Sequence, residues 1–227
     1  MIKLIHLFTY YAGKSRKMSY HIKEEGNNKM TTITTKQKVV DAASELFFQH
    51  GFHGTSVRDI AEVAAVNVSL ISYYFKSKQG LLEYAVTDYY EHYLEAVEAA
   101  LQANASYDKK QQLKQVIQTM MQYKTDHFRL TSFIHRELSL DSTFVREMAV
   151  TYLAKENHVL SDLFYQILGN DMKKQRTYLF IQFKGMLMSP YILNNEWNNQ
   201  LHDQVDIDNF VRNYVSSINN WLDFLSK

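Results

Sequence analysis

The chain contains no cysteine, a single proline and seven glycines among 227 residues. Without cysteine there is no disulfide framework, thiolate zinc site or cysteine nucleophile, which fits a reducing compartment. So few helix breakers leave long stretches free to stay helical, and the expected fold class is all-α. No apolar run approaches the roughly 20 residues of a membrane span. Lys3 and His6 interrupt the apolar start at Met1, so a signal-peptide core is missing as well. A soluble, cytoplasmic protein is expected, nucleoid-associated if it binds DNA.

Signatures of catalysis are absent too: no nucleophile elbow, phosphate loop or Gly-rich dinucleotide turn occurs, so neither an enzyme nor a cofactor is expected. Of the nine histidines, His50 and His53 are near neighbours and His127 and His135 lie eight apart, but neither pair has a carboxylate or cysteine partner at ligand spacing. No metal site follows. The net charge of +1 hides a mild gradient, with six Lys/Arg against two Glu in residues 1–29, five against four in 30–80, and fourteen against eighteen beyond. An ordinary solvated surface would show as much; the gradient gains meaning only beside a motif.

That motif lies between Thr55 and Lys78, which reads as two short helices joined by a tight turn. Thr55 or Ser56 can cap the first, Asp59 stands where it would close a capping box with Ser56, and Ile60, Val63 and Ala64 recur at helical spacing. Asn67 caps the second helix, which Val66, Ile71 and Phe75 anchor from behind. Its other side chains, Val68, Ser69, Leu70, Ser72 and Tyr73, suit base edges and phosphates in a major groove. Helices are expected over about 35–50, 56–64 and 68–74, with Gly51 ending the first in a left-handed cap. A long helix opens at Lys78 and runs through Leu82, Ala85, Val86, Tyr89, Tyr93, Val97 and Leu101. Further helices are expected at about 110–126, 128–138, 142–168, 172–195 and 207–225, with a stop at Gly169-Asn170 and a kink or end at Pro190.

The order of these residues resembles the TetR family of bacterial transcription factors. The resemblance is carried by the apolar face Val39, Val40, Ala43, Leu46 and Phe47, by Gly51-Phe52 and Gly54-Thr55-Ser56, and by Tyr73-Tyr-Phe-Lys-Ser-Lys78 followed by Gly80-Leu-Leu82. Ala65 departs from it, because the family usually has Gly in that turn. The resemblance implies a three-helix helix-turn-helix domain over 34–80 and a helical dimerisation and regulatory domain over 81–227, and residues 1–33, which precede everything that carries it, read as a flexible basic extension. The extension reads either as a basic arm or as an upstream-start artefact, with Met18 and Met30 as alternative starts; an arm could also enter a minor groove.

Double-stranded DNA with a palindromic operator and a second copy of the chain are the implied partners. Thr55, Ser56, Tyr73, Lys76 and Lys78 form the phosphate group, Val68, Ser69, Leu70 and Ser72 the base-facing group, Arg58 either, and Tyr74 a contact or packing. The wide apolar stripes Leu179, Phe180, Phe183, Met186, Leu187 and Ile207, Phe210, Val211, Tyr214, Val215, Ile218, Trp221, Leu222, Leu225 are expected to reach a second copy in part.

Within the family, Val66 to Lys76, Gly80-Leu-Leu-Glu-Tyr84 and Tyr89-Tyr-Glu-His-Tyr93 are similar to regulators of spore-forming bacilli that bind palindromic motifs near the chromosomal origin and restrain the division protein FtsZ. On that reading Arg129, Arg136, Glu137, Arg146 and Glu147 face FtsZ; otherwise they are solvated helix charge. The alternative is a ligand-responsive repressor, with Met120, Tyr123, His127, Phe128, Phe133, Phe164 and Tyr165 around a small-molecule effector, or else forming plain core.

Overall fold

The computed structural model describes residues 34–139, 143–193 and 204–226. Among them are nine α-helices and no strand. In chain order these are α1 (Thr35–His50), α2 (Val57–Val63), α3 (Val68–Phe75), α4 (Lys78–Ala103), α5 (Lys109–Asp126), α6 (Phe128–Ser139), α7 (Thr143–Ile167), α8 (Arg176–Ile192) and α9 (Gln204–Leu225), with a 3-10 turn at Asn170–Gln175 before α8. The expected extension over 1–33 lies outside the described residues, and so do the side chains of Arg146 and Ile207.

The first four helices begin where a short polar side chain accepts the orphan amide of the opening turn. Thr34 accepts from the Gln37 amide, Ser56 from Asp59, Asn67 from Ser69 and Ser77 from Gly80. Gly51 ends α1 at a φ of 72°, a backbone that side-chain-bearing residues rarely adopt. The apolar face read from the sequence is the packed face: Val39, Ala43 and Phe47 are fully buried, in one core with Ile60 of α2 and Ile71 of α3. Val63 is the exception on α2, more than half exposed, because Ala61 and Ala64 take the inward positions.

Helix α4 runs without a break across the expected boundary near residue 80, burying Leu81, Leu82, Ala85, Val86, Tyr89, Tyr90, Tyr93 and Val97 along its length. It packs on α1, α3, α5 and α7, while α6 packs on α1, so the reading helices and the body share contacts at two places. Pro190 does not end its helix. Its missing N–H leaves the Met186 carbonyl without a helical donor. The Tyr214 hydroxyl of α9 donates to that carbonyl at 2.7 Å, and the helix continues to Ile192.

The body also encloses a polar cluster that nothing in the sequence pattern signalled. Glu156 on α7, 2% exposed, accepts from Lys124 of α5 at 3.0 Å, Lys184 of α8 at 2.6 Å and the Tyr93 hydroxyl of α4 at 2.6 Å. Burial pushes its carboxyl up, but the two ammonium groups and the Tyr93 hydrogen bond outweigh it and hold the group well below the usual range.

Candidate nucleic-acid interface

Helices α2 and α3 meet at a turn centred on Ala65, whose φ of 53° swings the chain so that the Val66 amide reaches the Ala61 carbonyl at 2.9 Å. The capping box at the start of α2 is complete: Ser56 Oγ accepts from the Asp59 amide at 3.2 Å and Asp59 Oδ2 accepts from the Ser56 amide at 2.9 Å. These bonds from Ser56 hold the Asp59 carboxyl below its ordinary range, with the charges of His50 and Lys78 adding to them. On α3, Asn67 Oδ1 accepts from the Ser69 amide at 2.9 Å and from its hydroxyl at 2.7 Å, fixing the first turn.

The two faces of α3 then separate by chemistry. Ile71 and Phe75 are buried and hold the helix on the core, while Val68, Ser69, Ser72, Tyr73 and Tyr74 stand exposed and Leu70 is half-buried between them. Tyr73 is 78% exposed, and its ring meets that of Tyr74 edge-on at 5.2 Å. Arg58 and Lys76 are exposed as well. This is a short helix anchored from behind that offers hydroxyls, a methyl-bearing side chain and an aromatic ring to the outside, the geometry a major groove accepts.

Two residues assigned to phosphate from the sequence stand elsewhere. The Thr55 side chain is buried, and its hydroxyl is shared between the Leu46 and Gly51 carbonyls at 3.1 and 2.9 Å. Lys78 turns its ammonium inward onto the Thr55 and Phe52 carbonyls at 2.6 and 2.7 Å. Both sit beside a loop whose backbone carbonyls lack helical partners, and buried carbonyls need donors.

Sequence reasoning missed the other side of this corner. Lys36 of α1 lies 3.6 Å from the ring centroid of Tyr84 and 5.8 Å from that of Phe75, a cation–π clamp whose partial burial lowers the lysine pKa. A Cβ on Gly80 would come within 2.2 Å of the Phe75 carbonyl, so α3 and α4 approach as closely as only glycine permits. Lys76 between them has a φ of 67°, and the Ser77 amide donates to the Phe75 carbonyl across it at 2.8 Å, the strained form of γ-turn. The residues Phe-Lys-Ser-Lys-Gln-Gly were visible, but their backbone conformation was not.

Of the expected effector residues, Tyr165 lines a pocket with Phe180, Ile181 and Lys184 to which the others do not contribute. Tyr123 and His127 pack with each other at 4.4 Å, Phe128 packs near Phe48 and Tyr191, and Phe164 lies stacked on Phe183 at 4.9 Å. Tyr123 and His127 thus form one pair beside Tyr89, with His127 exposed, while Phe128 and Phe164 pack elsewhere. The expected FtsZ-facing charges also divide: Arg136 donates to the Phe47 and Phe48 carbonyls at 2.8 and 2.9 Å and Arg129 pairs with Glu45, which leaves them as ties to α1.

The stripes assigned to a second copy are mostly interior. Phe183, Leu187, Val211, Ile218 and Leu222 are buried within the chain itself. Outside stand Phe224 of α9, 63% exposed, and a different row on α8, where Tyr178, Ile181 and Ile192 are 70%, 62% and 51% exposed and Gly185 and half-buried Met188 lie between them.

Known proteins match this architecture. The profile of bacterial regulatory proteins of the tetR family matches residues 39–85. The "Probable HTH-type transcriptional regulator YttP" of Bacillus subtilis (strain 168) is 38% identical over 197 residues, covering 84% of this chain and 93% of that protein. The chain belongs to the TetR family. The regulator RutR of Escherichia coli (strain K12) is 38% identical over 60 residues, 26% of this chain and 28% of its own length, so the match covers about a quarter of each chain. Among solved structures, a TetR-like transcriptional regulator from Rhodococcus sp. RHA1 aligns with a TM-score of 0.62 at 16% identity, covering 88% of this chain and all of its own. PfmR from Thermus thermophilus aligns with a TM-score of 0.61 at 16% identity, over 80% of this chain and 97% of its own. The family's relatives are helix-turn-helix transcriptional regulators, and this TetR-family chain is one of them. Among the described residues no helix is long and apolar enough to cross a membrane.

Proposed function

We propose that the protein binds a palindromic duplex as a homodimer, laying one α3 in each of two major-groove half-sites. The observation that carries this is the outer face of α3, with Tyr73, Ser72, Ser69 and Val68 exposed on a helix fixed by Asn67 at one end and by Ile71 and Phe75 beneath. Arg58 and Lys76 flank that face and supply positive charge, while Ser56 borders it at the head of α2. The row Tyr178, Ile181, Gly185, Met188 and Ile192 has the alternating three- and four-residue spacing of a helix–helix seam and supports pairing through α8. Half-site spacing would then be set by the dimer.

For the finer role, the resemblance of Val66 to Lys76 and of Gly80 to Tyr84 supports a RefZ-like function, in which the DNA-bound protein acts on FtsZ to position the division ring. An effector-responsive repressor has less support, because Phe128 and Phe164 pack away from the Tyr123–His127 pair. The decisive experiment is selection from random duplexes, followed by genome-wide occupancy and co-sedimentation with FtsZ. A palindrome recovered at sites scattered around the origin, with operator-enhanced FtsZ binding, is the expected result. Occupancy of one or two promoters and no FtsZ binding would remove the division role and leave a local repressor, and recovery of no palindrome would remove the dimeric reading.

A further inference from the structure

Lys78 opens the helix that leads from the reading corner into the body, yet its charge is directed at a loop more than twenty residues earlier in the chain. Its ammonium donates to Thr55 O at 2.6 Å and to Phe52 O at 2.7 Å, and sits 4.4 Å from the centroid of the Phe52 ring. The same loop is tied on its other side by the Thr55 hydroxyl, which reaches back to Leu46 and Gly51 of the α1 end. Two carbonyls and an aromatic face therefore surround a half-buried ammonium, an arrangement in which charge-assisted bonds are about twice as strong as neutral ones. Two of its three N–H donors are thereby committed to carbonyls of the chain itself, whereas the Lys76 side chain stands exposed.

We infer that Lys78 is a positioning residue for DNA reading: it pins the α1–α2 loop to the first turn of α4 and so fixes α2, and α3 held between α2 and α4, without itself contacting phosphate. Gly80, in the same first turn, lets α3 close onto this stretch of α4, so the pin and the close contact act on one joint. The inference rests on the DNA-binding reading above.

The test is the salt dependence of binding. Each phosphate contact contributes about 0.9 to the slope of log affinity against log salt concentration. Lys78→Met keeps the stem against Phe52 and removes the donors. Measured by anisotropy on the selected palindrome, well below the melting temperature of each protein, it should bind about tenfold more weakly, the scale of a lost charged hydrogen bond, with the slope unchanged. A slope lower by about one would make Lys78 a phosphate contact, and unchanged affinity at a lower melting temperature would make it structural only; either result overturns the inference.

Reductive methylation of the wild-type protein, read by mass spectrometry with and without the duplex, keeps the test open if the Met variant does not fold. Lys78 should be slow to react in both states. Reaction as fast as that of Lys76 in the free protein, followed by protection on DNA, would equally defeat the inference. Failure of the wild-type protein to bind any palindrome would instead strike the functional reading, and this inference with it.

Discussion

The helix starts of the reading corner and the polar pairs of the body use polar groups over different distances. In the corner each helix start is satisfied by a side chain two or three residues away, Thr34 for Gln37, Ser56 for Asp59, Asn67 for Ser69 and Ser77 for Gly80. In the body the partners are far apart in sequence: Tyr93 and Glu156 by 63 residues, Thr125 and Tyr191 by 66, Lys114 and Asp223 by 109. Local bonds can be read from adjacent letters, whereas a bond between α4 and α7 exists only after the helices have packed. The corner should accordingly respond to mutation in DNA binding and the body in stability.

The largest expected effect tests the body half of that contrast. Glu156→Gln leaves Lys124, only 4% exposed, without its countercharge, and breaking a buried pair in this way costs about 3–5 kcal/mol. Urea denaturation should show the loss, while affinity for the selected duplex, measured well below the melting temperature, should stay within about twofold of wild type. A larger affinity change in a folded Glu156→Gln protein would mean that the cluster reaches the reading helices and that the contrast is wrong.

His135 gives the same region a pH dependence. Its imidazole is buried beside α5 and α8, with Nδ1 unpartnered and the ring stacked on Tyr191 at 6.1 Å. Burial, with Lys124 and Lys184 adding repulsion against the attraction of Glu156, pushes its pKa down to about 3. A folded pKa below the unfolded one means that the unfolded chain takes up the proton first. The stability is complete above about pH 6.5 and is lost as the pH falls from there toward 3, at up to roughly 1.4 kcal/mol per pH unit for one proton. Glu156 adds its own loss only below the ordinary Glu range, since its carboxyl is also held low. Chemical denaturation between pH 7 and 5 should therefore show a slope that His135→Phe removes. An equal slope in both proteins would assign it to another group.

In the corner the signs reverse. Tyr73 is 78% exposed, so Tyr73→Ala should leave stability within about 0.5 kcal/mol of wild type, as exposed substitutions usually do. Affinity for the duplex should fall by about 1–3 kcal/mol, the range of a direct contact. Ser69→Ala should change preference among half-site sequences more than overall affinity. A Tyr73→Ala protein that binds normally would take the most exposed side chain of α3 out of the interface.

What the sequence disclosed follows the same division. Caps, the ends of α1 to α3 and the buried face of α1 were legible because each is written in residues within a turn of one another. Thr55 and Lys78 were read as phosphate contacts because their residue types suit that task; only the folded loop shows that its own carbonyls claim them. Aromatic spacing suggested an effector cavity around Tyr123, His127, Phe128 and Phe164, but Phe128 and Phe164 pack apart from the Tyr123–His127 pair. Pro190 was expected to end or kink its helix, and the Tyr214 hydroxyl that serves the freed carbonyl comes from another helix. Much of the apolar stripe on α9 is covered by α5 and α8 from within the chain, a packing that its width alone could not show, while Phe224 stays exposed.

Ala65 is the smallest expected effect and the one that bears on the turn itself. Its φ of 53° is in the left-handed region, where a Cβ costs roughly 1–2 kcal/mol relative to glycine. Glycine would relieve that strain but add freedom to the unfolded chain worth about 0.5–1 kcal/mol. The difference leaves Ala65→Gly about 0.5–1 kcal/mol more stable, or about 1–4 °C in melting temperature for a chain of this size. The exposed methyl group makes no core contact, and the turn keeps its Val66 to Ala61 bond in either case, so the angle between α2 and α3 should be retained. DNA affinity should then change by less than about twofold, even though the substitution sits in the helix-turn-helix. Calorimetry and anisotropy on the same preparation separate the two quantities. A destabilised Ala65→Gly protein would show that the strain at this position is negligible, and a stabilised one with weakened binding would show that the rigidity of alanine in the turn contributes to reading.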